Sequence, residues 1–131
     1  MTKAAEAPTV VADLMTVDLT ALIPTDRVGR ARDLQIALGI HALPVMDGND
    51  VIGIVTSSDL IDEWPDDDPV TSIMTPTPTM IEAEASVQEA AELMVAERIH
   101  HLMVTDETGV IGILSSFDLL SALIPPRRST A

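Results

Sequence analysis

Two pairs of a hydroxyl and a carboxylate stand three residues apart in the sequence, Thr56 with Asp59 and Ser115 with Asp118. Each hydroxyl follows a glycine-containing apolar run, and each aspartate falls where a helix is expected to begin. This spacing is that of a capping box, in which the two side chains satisfy free N–H groups at a helix start. It also suits a ribose phosphate, because the hydroxyl can donate to phosphate and the carboxylate can accept from ribose hydroxyls. From the residues alone, both interpretations stay open.

The two pairs belong to a duplication that covers most of the chain. Shifting the sequence by 59 positions places 13–61 on 72–120 without a gap, and 19 of the 49 positions are identical. The stretch "VIGIVTSSDL" at 51–60 lands on "VIGILSSFDL" at 110–119. Two copies are too few for a solenoid and favour a pseudo-twofold pair.

Each copy predicts the same order of elements, β-α-β-β-α. A leading segment ends at Met-Thr, a short extended stretch follows, and a helix comes next. In the second copy Ser86 and Glu89 mark the helix start as a capping box, whereas the first copy starts less clearly at Thr25 or Asp26. Two apolar runs joined by a polar turn then predict a hairpin, and a short helix closes the copy. This order predicts an α+β fold. The two copies are expected to pack together as a pseudo-twofold pair, because neither copy can bury its sheet alone.

The copies also fix the expected domain limits. Repeat 1 is placed at 10–64 and repeat 2 at 71–124, with an acidic Pro/Asp linker at 65–70. Residues 1–9 and 125–131 are expected to be flexible tails. Three adjacent aspartates lie in the linker, and we interpret them as a solvated run rather than a metal site.

Composition excludes several classes of function. The chain has 131 residues, no cysteine and a formal net charge of −14. Thiolate catalysis and cysteine-based zinc sites are excluded, and a nucleic-acid partner is disfavoured because the basic stripe that neutralises phosphates is absent. We expect no signal peptide, no membrane span and a cytoplasmic location. Any phosphate site must be local, built from N–H groups, hydroxyls and a few cations.

The repeated blocks resemble tandem cystathionine-β-synthase (CBS) domains, also called a Bateman module, here as a small stand-alone CBS protein. The resemblance covers about 13–124. It is carried by Met-Thr at each leading segment, by "HALPVMD" and "HHLMVTD" at the first hairpin strand, and by Gly-Ile-Val-Thr-x-x-Asp and Gly-Ile-Leu-Ser-x-x-Asp at the strand–helix junction.

The resemblance implies clefts between the repeats that bind adenosine derivatives. In the family pattern the junction aspartate holds the ribose, the hydroxyl lies near the phosphate and the strand isoleucine lines the adenine pocket. The leading threonines approach the base, and histidines after the first helix suit phosphates. The implied ligand-binding residues are Thr16, Ile54, Thr56, Ser58, Asp59, Thr75, His100, His101, Ile113, Ser115, Phe117 and Asp118.

The leading functional hypothesis is a regulatory sensor module that binds AMP, ADP, ATP or S-adenosylmethionine, with or without Mg²⁺. No cofactor or resident metal is required. Partners are expected to be the adenosine ligand, a second copy of the chain in a homodimer and a regulated protein. The alternative is a ligand-free structural or protein-interaction module. An enzyme is not expected, because no nucleophile–base constellation, P-loop or H-E-x-x-H motif is present.

Overall fold

The computed structural model describes residues 10–124, so the expected tails at 1–9 and 125–131 lie outside the described residues. This part of the chain folds into helices and short strands, with two single-turn 3₁₀ helices at Val11–Asp13 and Val70–Ser72. The elements in chain order are α1 (Val28–Leu38), β1 (Ala42–Asp47), β2 (Asp50–Thr56), α2 (Ser57–Ile61), β3 (Thr75–Pro76), β4 (Met80–Glu82), α3 (Val87–Glu97), β5 (His101–Asp106), β6 (Gly109–Ser115) and α4 (Ser116–Ala122).

The compact units of the fold do not coincide with the sequence copies. One unit runs from Asp18 to Thr79, and the other joins the described residues up to Val17 with those from Met80 onward. We refer to them as the central unit and the split unit. The leading segment of each copy, which ends at Met15-Thr16 or Met74-Thr75, therefore belongs to the unit built around the other copy. The predicted repeat limits, 10–64 and 71–124, stay predictions about sequence repeats.

The central unit contains a three-stranded antiparallel sheet in the order β1-β2-β3. The predicted hairpin is confirmed, with Asp47 opposite Asp50 at its turn. The predicted extended stretch before α1 is reduced to a single parallel bridge between Leu22 and Val45. The chain has one Phe, one Trp and no Tyr. Aliphatic side chains accordingly fill the core: Leu22, Val28, Ala31, Leu43, Val45, Val55, Leu60, Val70 and Ile73.

Helix α1 begins later than the sequence predicts. The expected start at Thr25 or Asp26 is wrong, because Arg27 is the extended N-cap and the helix begins at Val28. The acidic linker supplies the cap: the Val28 N–H donates to the Asp68 carbonyl over 2.8 Å, and the Gly29 N–H donates to the Asp66 carbonyl over 3.0 Å. Backbone carbonyls from a distant segment replace the local side-chain cap, so no local sequence signal marks the start.

The split unit contains the sheet β4-β5-β6, in which β4 runs parallel to β5 and β5 forms the second predicted hairpin with β6. The predicted cap of α3 is confirmed, since Ser86 Oγ accepts from the Glu89 N–H over 3.0 Å. The core is again aliphatic: Val11, Ile81, Ala83, Ala90, Met94, Leu102, Val104 and Leu114.

The α+β class is confirmed by two three-stranded sheets with flanking helices. The order β-α-β-β-α is complete in the second copy as β4-α3-β5-β6-α4. Among residues 10–124, none of the helices is both long and apolar enough to cross a bilayer.

Candidate functional site

The Thr56 junction of the central unit joins the end of β2 to the start of α2. The Thr56 N–H donates to Asp59 Oδ2 over 2.8 Å, and Thr56 Oγ1 donates to the same oxygen over 3.1 Å. Both residues are half-buried. The capping-box interpretation of this pair is confirmed, because the carboxylate satisfies the N-cap amide without any ligand.

The Ser115 junction of the split unit repeats this arrangement between β6 and α4. The Ser115 N–H donates to Asp118 Oδ2 over 2.8 Å, and Ser115 Oγ accepts from the Asp118 N–H over 3.1 Å. The capping box is again formed. The two junctions therefore share a backbone geometry and an aspartate orientation that the sequence repeat predicts.

Each junction aspartate has one carboxylate oxygen outside the capping box. Asp59 and Asp118 accept through Oδ2, and within residues 10–124 Oδ1 of neither aspartate accepts a hydrogen bond. Because the side chains are only half-buried, Oδ1 can accept from an external donor. Helix capping and ligand binding are thus compatible at the same carboxylate.

The leading threonines lie beside the junction strand of the other copy. Thr75 in β3 is the register partner of Ile54 in β2. In the split unit, the Thr16 N–H donates to the Ile113 carbonyl over 2.9 Å, and the Ile113 N–H donates to the Thr16 carbonyl over 3.0 Å. The predicted residues therefore form two groups, one in each unit. The central unit holds Ile54, Thr56, Ser58, Asp59 and Thr75; the split unit holds Thr16, His100, His101, Ile113, Ser115, Phe117 and Asp118.

Two glycines make this close approach of the leading segments feasible. A Cβ on Gly112 would lie 2.8 Å from Met15 Sδ and 2.9 Å from the Thr16 carbonyl. A Cβ on Gly53 would collide with Met74 Sδ and lie 3.1 Å from the Thr75 carbonyl. Sequence reasoning missed this role, although the signal was present: Met-Thr and Gly-Ile recur together in both copies.

A histidine–serine pair recurs beside each junction. His41 Nδ1 lies 3.0 Å from Ser57 Oγ, and His100 Nδ1 lies 3.2 Å from Ser116 Oγ. Sequence reasoning missed Ser57 and Ser116, although each follows its histidine by 16 residues in both copies. His101 differs from its neighbour, because it opens β5 directly opposite Ser115.

The two residues that precede the junction aspartates are exposed to solvent. Ser58 is exposed on the first turn of α2, and Phe117 is 74% exposed on the first turn of α4. Leu120, three residues after Phe117 on the same helix, is also exposed. Phe117 thus belongs to an apolar stripe of α4 as well as to the predicted site.

A cavity of about 470 Å³ lies elsewhere in the split unit, at the ends of β4 and β5. Its lining includes Glu82, Glu84, Asp106 and Glu107 but none of the predicted site residues. Four carboxylates make it unfavourable for a phosphate. At its rim, Thr108 Oγ1 and the Thr108 N–H donate to Asp106 Oδ1 over 2.5 and 2.7 Å, which lowers the pKa of Asp106.

Metal ligation finds no support in the described residues, where no three His, Asp or Glu side chains are grouped to hold an ion. In the linker, Asp66 is engaged by Arg32, whose Nε lies 3.4 Å from Asp66 Oδ1. The backbone carbonyls of Asp66 and Asp68 accept hydrogen bonds from the N–H groups at the start of α1.

Comparison with known proteins identifies the repeat. The CBS domain model matches twice, at residues 11–66 and 70–125. The uncharacterized protein YlbB of Bacillus subtilis is 33% identical over 118 residues, which cover 85% of this chain and 80% of that protein. The inosine-5'-monophosphate dehydrogenase of Korarchaeum cryptofilum is 35% identical over 103 residues. These cover 78% of this chain but only 22% of the dehydrogenase.

Solved structures agree with this match. The CBS-pair protein CBSX2 of Arabidopsis thaliana, in its crystal structure with AMP, superposes with a TM-score of 0.75 at 27% identity. The superposition covers 86% of this chain and 94% of that one. Two family matches that together span most of the chain, on a fold with the same elements, lead to one conclusion. The protein belongs to the CBS-domain family and carries two CBS domains in tandem.

Proposed function

We propose that this protein is a regulatory module that binds an adenosine-containing ligand at its strand–helix junctions, and that it prefers AMP. One observation carries the proposal: at both junctions a hydroxyl, an aspartate with Oδ1 outside the capping box and the N-terminus of a helix lie together. A ribose hydroxyl can donate to Oδ1, while a phosphate accepts from the hydroxyl and the helix N–H groups.

The AMP complex of CBSX2 supports the choice of ligand, because that protein has the same fold and is 27% identical in sequence to this chain where the two superpose. In each unit the leading threonine and the junction isoleucine form a backbone-paired edge next to the hydroxyl. Backbone groups beside an apolar side chain suit a flat base, which needs a few hydrogen bonds and an apolar contact.

The charge of the protein supports one phosphate over three. The chain carries a net charge of −14, so long-range electrostatics oppose polyanions. Imidazoles are few beside the junctions: His100 and His101 are near the Ser115 junction, and His41 is near the Thr56 junction. A monophosphate requires the least compensation, and AMP is therefore preferred over ADP, ATP and NAD-type ligands.

A ligand-free structural or protein-interaction module is the second candidate, favoured by one observation. The capping boxes are complete without a ligand, so Thr56, Asp59, Ser115 and Asp118 have a structural reason to be present. In that case the exposed apolar side chains of the helices form a contact surface for a partner protein.

Thermal unfolding against a panel of ligands separates the two candidates. The panel is AMP, ADP, ATP with and without Mg²⁺, S-adenosylmethionine and GTP. A ligand at 100 times its Kd stabilises the folded state by about 2.7 kcal/mol, which raises Tm by several degrees. We expect AMP to raise Tm and GTP to leave it unchanged. Absence of any shift would favour the ligand-free module.

The proposed module has no catalytic activity and acts through other proteins. We propose a homodimer, because apolar side chains on all four α-helices of residues 10–124 are exposed: Ile36 on α1, Ile61 on α2, Val95 on α3 and Leu120 on α4. Sedimentation equilibrium tests the dimer, and a monomer at micromolar concentration would contradict it. Incubation with ATP tests for catalysis, and release of ADP or AMP would contradict its absence. A cytoplasmic site of action, where adenine nucleotides are abundant, completes the proposal.

A further inference from the structure

The two junctions differ in the role of the hydroxyl proton, and we infer that they are unequal ligand sites. Thr56 Oγ1 donates its proton to Asp59 Oδ2 over 3.1 Å. At the other junction Ser115 Oγ accepts from the Asp118 N–H over 3.1 Å, and within residues 10–124 the Ser115 hydroxyl donates to no acceptor. The inference rests on the proposed function and assigns the preference for a phosphorylated ligand to Ser115.

A phosphate needs hydrogen-bond donors such as hydroxyl groups, because its ionised oxygens only accept hydrogen bonds. Ser115 can donate to a phosphate oxygen without breaking an existing bond. Thr56 must first release Asp59 Oδ2, and a hydrogen bond to a carboxylate is stronger than a neutral one. The β-branched threonine is also more restricted at χ1 than serine. A phosphate therefore adds more to ligand affinity at the Ser115 junction.

The residue opposite each hydroxyl on the neighbouring strand also favours phosphate binding at the Ser115 junction. Ser115 lies directly opposite His101, whereas Thr56 lies directly opposite Ala42. Side chains that are directly opposite in an antiparallel sheet share a face, so an imidazole accompanies one hydroxyl and a methyl group the other. The pairs His41–Ser57 and His100–Ser116 are alike at the two junctions and do not discriminate between them.

The consequence is a difference in selectivity. The Ser115 junction binds AMP more tightly than adenosine, while the Thr56 junction distinguishes the two ligands weakly. The protein thus has one high-affinity nucleotide site and one weaker site. Over a range of AMP concentrations it passes through a singly occupied state.

Isothermal titration of AMP and of adenosine into the wild type, Ser115→Gly and Thr56→Gly tests this inference. Glycine is accepted at N-cap positions, so both variants keep the helix start while they lose the hydroxyl. We expect Ser115→Gly to weaken the tighter AMP phase about tenfold, the usual cost of one hydrogen bond to a charged group. We expect adenosine affinity to change less than about threefold, because adenosine brings no charged acceptor. Thr56→Gly weakens the second AMP phase, also by less than about threefold.

The outcomes separate this inference from the proposed function. If the wild type takes up AMP but Thr56→Gly causes the larger loss, or the two losses are equal, the inequality is wrong and the proposed function stands. If the wild type gives no AMP heat, both are wrong. Urea unfolding verifies that each variant is folded. Ser115→Thr keeps the cap and provides a second test: a several-fold loss of AMP affinity supports the inference, and an unchanged affinity overturns it.

Discussion

At the scale of residues, the junctions depend on glycines that no charge or hydroxyl pattern marks. Gly53 and Gly112 lie where a leading segment of the chain crosses a strand, and a Cβ at either position would overlap a methionine side chain. The spacing in the sequence predicts the roles of the hydroxyl and the aspartate, and the resemblance to CBS domains predicts that of the isoleucine. The sequence does not predict the glycines' role, because that role is the absence of a side chain opposite a segment distant in sequence.

The crowding at Gly53 gives a prediction about coupled substitutions. Gly53→Ala destabilises the fold by about 1–3 kcal/mol, the usual cost of overpacking. Most of this cost arises from Met74, whose Sδ and Cγ are the two atoms nearest the new Cβ. The double variant Gly53→Ala/Met74→Ala is therefore expected to lose less stability than the sum of the two single variants, as measured by urea unfolding. Additive losses of stability would show that contact with Met74 does not cause the cost of a Cβ at position 53.

The turn of the second hairpin gives a prediction about pH. Thr108 donates to Asp106 from both its hydroxyl and its N–H, and these bonds lower the pKa of the Asp106 carboxyl. Because the folded-state pKa is depressed, the associated stability is present above the unfolded-state pKa and is lost as pH falls through the folded-state pKa. NMR titration of Thr108→Val is expected to show a higher pKa for Asp106 than in the wild type. An unchanged value would mean that the hydroxyl has no part in the shift.

At the scale of elements, the helices that sequence patterns predict well are those with local caps. Ser86 marks the start of α3, and the two capping boxes mark α2 and α4. Helix α1 is the exception, since the carbonyls of Asp66 and Asp68 cap it from a segment far along the chain. The linker that composition predicts to be a solvated spacer is in fact a structural cap, and only the tertiary contact reveals this.

Arg32 of α1 secures the chain that leads into that cap and gives a matched pair of variants. Its guanidinium donates to the Leu60, Asp62 and Trp64 carbonyls over 2.5, 2.8 and 3.2 Å. Arg32→Lys is expected to destabilise the fold by about 1–2 kcal/mol, because a single ammonium cannot span three carbonyls. The control is Arg30→Lys, whose exposed guanidinium forms an ion pair with half-buried Asp26 and donates to no backbone carbonyl within residues 10–124. Its expected effect is below about 0.5 kcal/mol.

Urea unfolding of the two arginine variants tests whether the Arg32 hydrogen bonds stabilise the fold. Equal midpoints for Arg32→Lys and Arg30→Lys would show that the Arg32 contacts with the Leu60–Trp64 segment do not stabilise α1. A lower midpoint for Arg32→Lys alone, with an unchanged dependence on urea concentration, would establish the role of the fork-shaped guanidinium.

At the scale of the whole molecule, the sequence shows the duplication but not the packing of each leading segment against the other copy. We call this packing the exchange of leading segments. Self-comparison gives two copies, and the family model gives nearly the same limits. Yet Thr75 of the second copy pairs with Ile54 of the first, and Thr16 of the first pairs with Ile113 of the second. A repeat pattern reports which residues are equivalent, whereas it does not report which copy each segment packs against.

The exchange predicts which fragment folds. The central unit is one continuous stretch, 18–79, and its core includes Val70 and Ile73 from the second leading segment. We expect the fragment 18–79 to unfold cooperatively in urea and to give dispersed amide resonances. The fragment 11–66, cut at the family-model limits, lacks both side chains and the carbonyl of Asp68 that caps α1, so we expect it to be unfolded. Equal stability of the two fragments would contradict the importance of the exchange.

The most direct measurement is isothermal titration of AMP into the wild type and into the double variant Asp59→Asn/Asp118→Asn. Asparagine keeps an oxygen that can accept from the N-cap amide, so the helices stay capped, while the carboxylate charge that we propose to receive the ribose hydroxyls is lost. We expect saturable heat with the wild type and a loss of about tenfold or more in affinity with the variant. No heat with the wild type, or an unchanged affinity in the folded variant, would contradict this expectation.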